Sequence, residues 1–455
     1  MLSRAAIWLY VVLATYIVFN TERYKNNIFQ WDCSGYYVYL PAAFIYHDLH
    51  RMDFYYRINS RYNLSGPYET YGLIEQKTGC RTNKYAVGSA VLMLPLFLVA
   101  HCFTLSTHLF DADGYSMPYQ FAGIFSAIVY AALGLYFIRK FLSDYFPDLI
   151  VALTLICLAL GSNLYCYTAF FPGMSHPFSF FLFSAVLFCT HKVYSGKYHL
   201  LPVLGLLLGL VAITRPANIV IAILPLFWQV NSFADLSGRY RLLYTQRKYV
   251  LISLLFFVLA LTIQMGYWKV THGSFVYYSY VGERFNFAHP HLLEGIFGFR
   301  KGWFVYTPVA LLATGGLIVI WRGFRDLFPA FLVFLVLNLY VVFSWNCWWY
   351  GGGFGARPLI ESMAVMAFPL ACVTNYVFTD RCRHMVRCFA ITILVLVIAL
   401  NMFQTYQYYL GTLDCDRMNR AFYLRIFGKV RASEQDWKYR MTDEEYRRQD
   451  AESKR

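Results

Sequence analysis

The feature that most constrains this chain is a series of apolar runs, each near the length needed to cross a bilayer. Lipid offers backbone N–H and C=O groups no partner, so a crossing segment must satisfy them internally as a helix of roughly 20 residues. Runs of this kind occupy residues 5–20, 119–138, 149–167, 178–193, 200–213, 218–230, 250–267, 303–321, 328–345, 358–378 and 389–410. The fifth and sixth are short and share the polar elbow Thr214-Arg215-Pro216-Ala217-Asn218, which reads as a hairpin. Charged residues make up only 14% of the chain against 58% hydrophobic, whereas a soluble domain carries about 25% charged. The expected fold is an all-α polytopic membrane protein with about 11 transmembrane helices. Disorder, a disulfide-dense scaffold and a fibrous repeat are excluded by the same pattern.

Orientation follows the lysines and arginines of short loops, which stay on the cytoplasmic side. They cluster as Arg139 and Lys140; Lys192 and Lys197; Arg239, Arg241, Arg247 and Lys248; Arg322 and Arg325; and Arg381, Arg383 and Arg387. This puts the N-terminus in the cytoplasm and the C-terminus outside. Residues 85–102 form another apolar segment, and counting it as a span would invert every later loop. It is therefore expected to lie in the outer interface or dip and return, with Gly88 and Pro95 breaking its regularity. The first run lacks a small-x-small cleavage site and reads as a retained signal anchor.

The layout is then a transmembrane domain over 1–410, with a large first outer loop at 21–118 carrying interfacial helices, and a polar tail at 411–455, helical or partly disordered. The tail supplies much of the basic charge, 11 of the 39 lysines and arginines, so nucleic acid is not an expected partner. No internal repeat of the kind common in transporters is evident. The cysteines form no Cys-x-x-Cys pair, which argues against a zinc ribbon or redox motif. Cys33 and Cys80 share the first outer loop and either pair or stay free.

Several ionisable residues fall on the outer side. Asp32 follows Trp31 at the start of the first loop, ahead of Tyr36, Tyr37, Leu40, Phe44 and Asp48, whose spacing suits an amphipathic interfacial helix. Asp32 could simply cap that helix. Lys84 opens the 85–102 segment and could snorkel to headgroups. Asp111 and Asp113 have a spacing that could hold a divalent metal, and equally suit a plain turn. His176 begins a span, and Arg215 sits inside apolar sequence. Glu283, Arg284, His289 and His291 follow in the next outer loop, then Arg300 and Lys301. The glycine-rich stretch Trp349-Tyr350-Gly351-Gly352-Gly353-Phe354-Gly355 leads to Arg357 and Glu361. Consecutive glycines allow close backbone approach to a ligand, or merely a turn. One acid among several cations on one face suits an anionic lipid-linked substrate. The cations would stabilise a phosphate leaving group, and one carboxylate would serve as base.

The order of these segments resembles the GT-C superfamily of polytopic glycosyltransferases, in the branch of bacterial mannosyl- and aminoarabinosyltransferases. The resemblance rests on Trp31-Asp32 with Gly35-Tyr36-Tyr37, the segment from Lys84 to His101, the Thr214–Asn218 elbow, Arg300-Lys301-Gly302-Trp303 and the loop from Trp349 to Arg357. It implies an inverting transferase that takes sugar from a polyprenyl-phosphate donor to a glycan, lipid or protein acceptor, in a bacterial inner membrane. By that resemblance Asp32 is the catalytic acid residue of the first loop, acting as base, and Lys84 lies near the donor phosphate. Arg215, Glu283, Arg284, Arg300, Lys301, Arg357, Glu361 and His176 are candidate substrate contacts. The family segment commonly opens Lys-Pro-Pro, where this chain has Lys84-Tyr85-Ala86. No cofactor is firmly implied, and a divalent metal would fall to Asp111 and Asp113. A lipid-linked sugar flippase and a non-catalytic assembly protein are the alternative classes.

Overall fold

Each apolar run closes its own hydrogen bonds as helix, and loops and short helices join the runs. The structure, a computed structural model, describes residues 1–378 and 384–453. In chain order the helices are α1 (Leu2–Asn20), α2 (Asp32–Tyr37), α3 (Tyr39–Phe44), α4 (Phe54–Tyr62), α5 (Gly88–Thr107), α6 (Met117–Leu142), α7 (Asp148–Leu160), α8 (Leu164–Ala169), α9 (His176–Tyr194) and α10 (Leu201–Thr214). There follow α11 (Ile223–Phe227), α12 (Phe233–Thr245), α13 (Arg247–His272), α14 (Leu292–Phe297), α15 (Trp303–Tyr306), α16 (Val309–Gly323), α17 (Phe328–Phe343), α18 (Ser362–Phe378) and α19 (His384–Tyr409). The tail adds α20 (Arg420–Ile426), α21 (Glu434–Trp437) and α22 (Asp443–Ser453). One antiparallel hairpin, β1 (Leu73–Glu75) and β2 (Arg81–Asn83), pairs Ile74 with Thr82.

The all-α membrane architecture holds. Among the described residues, six helices are long and apolar enough to cross a membrane: α1, α5, α6, α9, α13 and α19. The other expected runs form shorter apolar helices. Residues 149–167 are split, with α7 ending at Leu160 and α8 starting at Leu164. Asn163 occupies the break. Its side-chain nitrogen donates to Phe354 O, and its oxygen accepts from Thr307 and Asn401, so the interrupted ladder is tied to three distant segments. The elbow after α10 is as sharp as expected, because Arg215 is extended (φ −148°, ψ 104°) and Pro216 restarts the chain. The basic loop residues Arg381 and Arg383 lie outside the described residues.

Helices approach closely where one presents glycine. On α10, a Cβ at Gly205 would sit 2.1 Å from Ser253 O, and one at Gly209 2.6 Å from Ala260 Cβ, so α13 packs against this face. Gly316 of α16 meets Pro369 O of α18 in the same way. The α18 helix is buried continuously from Ser362 to Cys372 and packs against α16, α7 and α9.

Three expectations need correcting. The stretch after Asp32 is not one half-exposed amphipathic helix. It forms α2 and α3, with residues 33–42 buried throughout, because α5 and the segment at Asn83 and Tyr85 cover what the sequence pattern left open. Asp48 lies beyond α3 and accepts the N–H groups of Arg51 and Asp53. Residues 88–107 are not irregular either. The α5 helix runs unbroken through Pro95, since packing on neighbouring helices makes up for the lost bond.

The placement of α5 is distinctive. Its first residue abuts Thr214 at the end of α10, where a Cβ on Gly88 would lie 2.3 Å from the Thr214 hydroxyl. At mid-helix Phe97 meets Tyr37 at a ring separation of 6.0 Å and Phe44 at 6.1 Å. Towards its end His101 Nδ1 lies 2.7 Å from the Tyr119 hydroxyl. Next to Tyr119, Gln120 accepts the N–H of Ile28, so this is again the Asp32 end of the bundle.

The tail is folded. Asp436, its side chain 1% exposed, accepts from Ser433 N and Oγ and pairs with Arg425 (2.9 Å) and Lys429 (3.0 Å). Phe422 and Ile426 are buried against the bundle side of this knot. Cys33 and Cys80 are both free thiols; Cys33 is buried against Gly173.

Candidate functional site

The site assembles around Asp32. Trp31, just before it, adopts φ +54° and ψ −128°, a region that is costly for a residue with a side chain. Trp31 is held there because its N–H donates to Leu64 O and its ring lies where a side chain on Gly66 would stand. Asp32 is thus the first residue of α2, yet its carboxylate does not cap the helix: no side-chain cap bond exists at this terminus. It turns away instead. Oδ2 receives Arg357 Nη2 at 2.6 Å, and Oδ1 receives the hydroxyls of Tyr85 at 2.6 Å and Tyr71 at 3.1 Å.

Each partner is placed by its own backbone. The hairpin ends in Asn83, whose N–H donates to Tyr267, whose amide donates to Gly35 O, and whose side-chain oxygen accepts Tyr85 N. Tyr85 then stacks directly on bare backbone: a Cβ at Gly35 would fall 2.0 Å from its ring, and one at Gly72 2.7 Å. Arg357 closes the glycine-rich loop. That loop turns through left-handed φ at Tyr350 (55°), Gly351 (64°) and Gly355 (56°). Tyr350 O accepts a second bond from Arg357 Nη2 at 2.6 Å.

Burial alone would raise the Asp32 carboxyl, but the Arg357 charge and the Tyr85 and Tyr71 hydroxyls bring it below the ordinary carboxylate range. Desolvation works against the Arg357 charge, and Asp32 more than offsets it. Burial and the Asp32 charge hold the Tyr85 phenol well above its usual value, so it stays a donor. The carboxylate keeps 16% of its side-chain exposure and Arg357 13%.

Two further clusters flank this pair. Lys84 Nζ lies 2.5 Å from Glu283 Oε1 and 4.8 Å from the centre of the Tyr280 ring, and Trp345 Nε1 donates to Glu283 Oε2. Behind Arg357, one helical turn on, Glu361 is fully buried. Asn218 donates to it at 2.9 Å, His176 Nδ1 lies 3.1 Å away, and Arg215 Nε stands 3.5 Å away. Arg215 Nη1 also reaches Ser175. Thus Asp32, Lys84, Arg215, Glu283, Arg357, Glu361 and His176, drawn from six separate segments, converge at one end of the bundle.

Arg300, Lys301, Asp111 and Asp113 stand apart from them. Arg284 contributes its backbone to Asn346. Arg300 is 5% and Lys301 2% exposed, and both face the tail. Arg300 donates to Asp416 and Gln449 and stacks 3.8 Å over Trp349, while Lys301 donates to Gly353 O and Cys415 O. Asp111 and Asp113 pair with Arg61, at 2.5 and 3.4 Å, and Asp113 also accepts from Tyr62 and from the N–H groups of Tyr115 and Ser116. Those bonds serve the turn. Among the described residues no three His, Cys, Asp or Glu converge as a metal site.

The residues missed in the sequence are Tyr71, Tyr85, Tyr280 and Asn218. Tyr85 had one signal, since it is where the chain departs from the Lys-Pro-Pro opening.

No protein-family model matches the sequence, and no curated protein matches it. Its structure does have relatives. It aligns over 98% of its length with the crystal structure of the apo oligosaccharyltransferase of Archaeoglobus fulgidus, at TM-score 0.53 and 12% identity. The chain spans 59% of the length of that protein. A structure of AglB from the same organism, in complex with an inhibitory peptide and a dolichol-phosphate, matches 98% of this chain and 59% of its own at TM-score 0.48 and 14% identity. The chain shares the fold of the first of these proteins.

Proposed function

We propose that this protein is an integral-membrane glycosyltransferase that moves a sugar from a polyprenyl-phosphate donor to an acceptor hydroxyl, with inversion. The observation that carries this reading is the Asp32 carboxylate, which ignores its own helix and points at Arg357 and two phenols beside Lys84 and Arg215. A structural cap has no use for that arrangement. A displacement with a phosphate leaving group does.

In the reaction, the acceptor oxygen bonds to the anomeric carbon as the bond from that carbon to the phosphate oxygen breaks. The phosphate leaves with the electron pair, and Asp32 takes the acceptor proton. Arg357, Lys84 and Arg215 are the cations within reach of the departing phosphate. The resting pairs Asp32–Arg357 and Lys84–Glu283 give this scheme a gate. When the donor phosphate draws Arg357 to itself, Asp32 loses the charge that depresses its basicity and becomes a better base when donor is present. Tyr71 and Tyr85 hold its orientation.

The basic-loop pattern supports an N-terminus in the cytoplasm and the Asp32 end on the periplasmic face of a bacterial inner membrane. The acceptor is a glycan, lipid or protein hydroxyl. Mixing purified protein with an undecaprenyl-phosphate-linked sugar and a cell-envelope extract that supplies acceptor hydroxyls, and following release of undecaprenyl phosphate, tests the reading. Wild type should release it and Asp32→Asn should not. Equal release by the two removes Asp32 as base and turns attention to Glu283.

A further inference from the structure

Lys301 is the most deeply buried lysine among the described residues, and its ammonium hydrogen-bonds main-chain carbonyls rather than a carboxylate. Its ammonium, 2% exposed, donates to two main-chain carbonyls, Gly353 O and Cys415 O. Burying such a charge is costly, and neutral acceptors repay it poorly. The fold bears that cost at a particular junction. Gly353 N donates to the same Cys415 O at 2.9 Å, so the glycine-rich loop and the tail share one three-way knot with Lys301 at its centre. Gly353 is also where the stem of Arg357 rests. A Cβ there would lie 3.1 Å from Arg357 Cδ and 2.9 Å from the Tyr167 hydroxyl. The hydroxyl of Tyr167 in turn accepts Phe354 N at 2.7 Å. Next door, Arg300 lies 3.8 Å over Trp349 and 4.9 Å over Tyr446 and holds Asp416, fastening the same two segments a second time.

We propose that Lys301 is a positioning residue: by binding the tail to the glycine-rich loop it sets the backbone from which Arg357 reaches Asp32. The inference rests on the reading of Arg357 and Asp32 as the working site. It assigns the segment after residue 411 a part in that site, although none of its side chains touches Asp32.

The titratable groups near the ammonium are Asp416 and the neutral thiol of Cys415 from the tail, Arg357 from the loop, and Arg300 beside it. Burial brings Lys301 down to about 8, which leaves it charged at neutral pH, so Met removes that charge at similar length. The test compares full-length wild type, Lys301→Met, Lys301→Arg and Arg357→Ala by two measurements. One is amide hydrogen exchange in the peptide spanning Gly352, Gly353 and Phe354. The other is binding of undecaprenyl phosphate alone.

The expected result for Lys301→Met is at least tenfold faster exchange in that peptide, unchanged exchange in α18, and at least fivefold weaker binding. Lys301→Arg, which keeps the charge, should recover most of both. Unchanged exchange at Gly353 in Lys301→Met overturns the proposal, as does faster exchange with binding still at wild-type strength while Arg357→Ala weakens it. Should Arg357→Ala bind as well as wild type, the site reading itself fails, and faster exchange in Lys301→Met then supports the knot alone. If Lys301→Met does not fold, Gly353→Ala replaces it. That variant pushes on Arg357 Cδ directly and should weaken binding with Lys301 untouched; wild-type binding there counts against the proposal.

Discussion

Exchanging the Asp32 carboxylate for an amide keeps its size and removes its basicity. Loss of a general base costs on the order of a hundredfold or more in rate. Asp32→Asn is therefore expected to fold and to lose at least that much transfer activity, read from kcat on a polyprenyl-phosphate sugar. Folding with near wild-type kcat sinks the assignment. Acidity supplies a second test. The Asp32 carboxyl sits below its unfolded value, mainly through Arg357 working against burial. Its contribution to stability is complete above the unfolded value and disappears as pH falls through the folded one. Thermal midpoints of wild type should fall on acidification below the ordinary aspartate range, and those of Asp32→Asn should fall less. Equal slopes for both proteins count against the ion pair. Gly35 offers a steric test, because its Cβ would enter the Tyr85 ring. Gly35→Ala should cost about 1–3 kcal/mol in unfolding free energy, with activity lost alongside. Tyr85→Phe, which removes one hydrogen bond without a clash, should cost about 1 kcal/mol.

Among the elements, α5 is where length and placement point in different directions. Its 20 residues and apolar composition suit a span. Its contacts with Thr214, Tyr37, Phe44 and Tyr119 all lie at the Asp32 end of the bundle. A helix lying along that face satisfies both facts and keeps every basic loop on one side. Topology reporters decide between the two. A fusion after Ser106 should report the periplasm and one after Phe141 the cytoplasm; the reverse pair of signals inverts the topology from α5 onward. The hairpin shows how a very small element can matter. Its last residue, Asn83, makes three bonds that aim Tyr85, and the next residue after it is Lys84.

At the scale of the molecule, Asp436 folds the tail on itself, and the Lys301 knot ties it to the rest of the protein. Asp436→Ala should expose Lys429 and Arg431 to trypsin, with cleavage roughly tenfold faster than in wild type while the bundle stays intact. Unchanged cleavage means that the tail is held by its apolar contacts alone. The sequence by itself determined the class of fold and the location of most of its helices, because a bilayer accepts few solutions for a run of apolar residues. It also picked out Asp32, Lys84, Arg215, Glu283 and Arg357, since charges beside apolar runs need a reason. It did not tell that Asp32 would ignore its helix, that Tyr71 and Tyr85 would hold it, or that Arg300 and Lys301 would serve the tail. Asp32 and Arg357 stand 325 positions apart. Periodicity reports which face of a helix is buried but not which loops meet across a bundle. That meeting is set by the close helix crossings at Gly205, Gly209 and Gly316, and by the turns that bring the hairpin and the glycine-rich loop over one end. Only tertiary packing fixes these together.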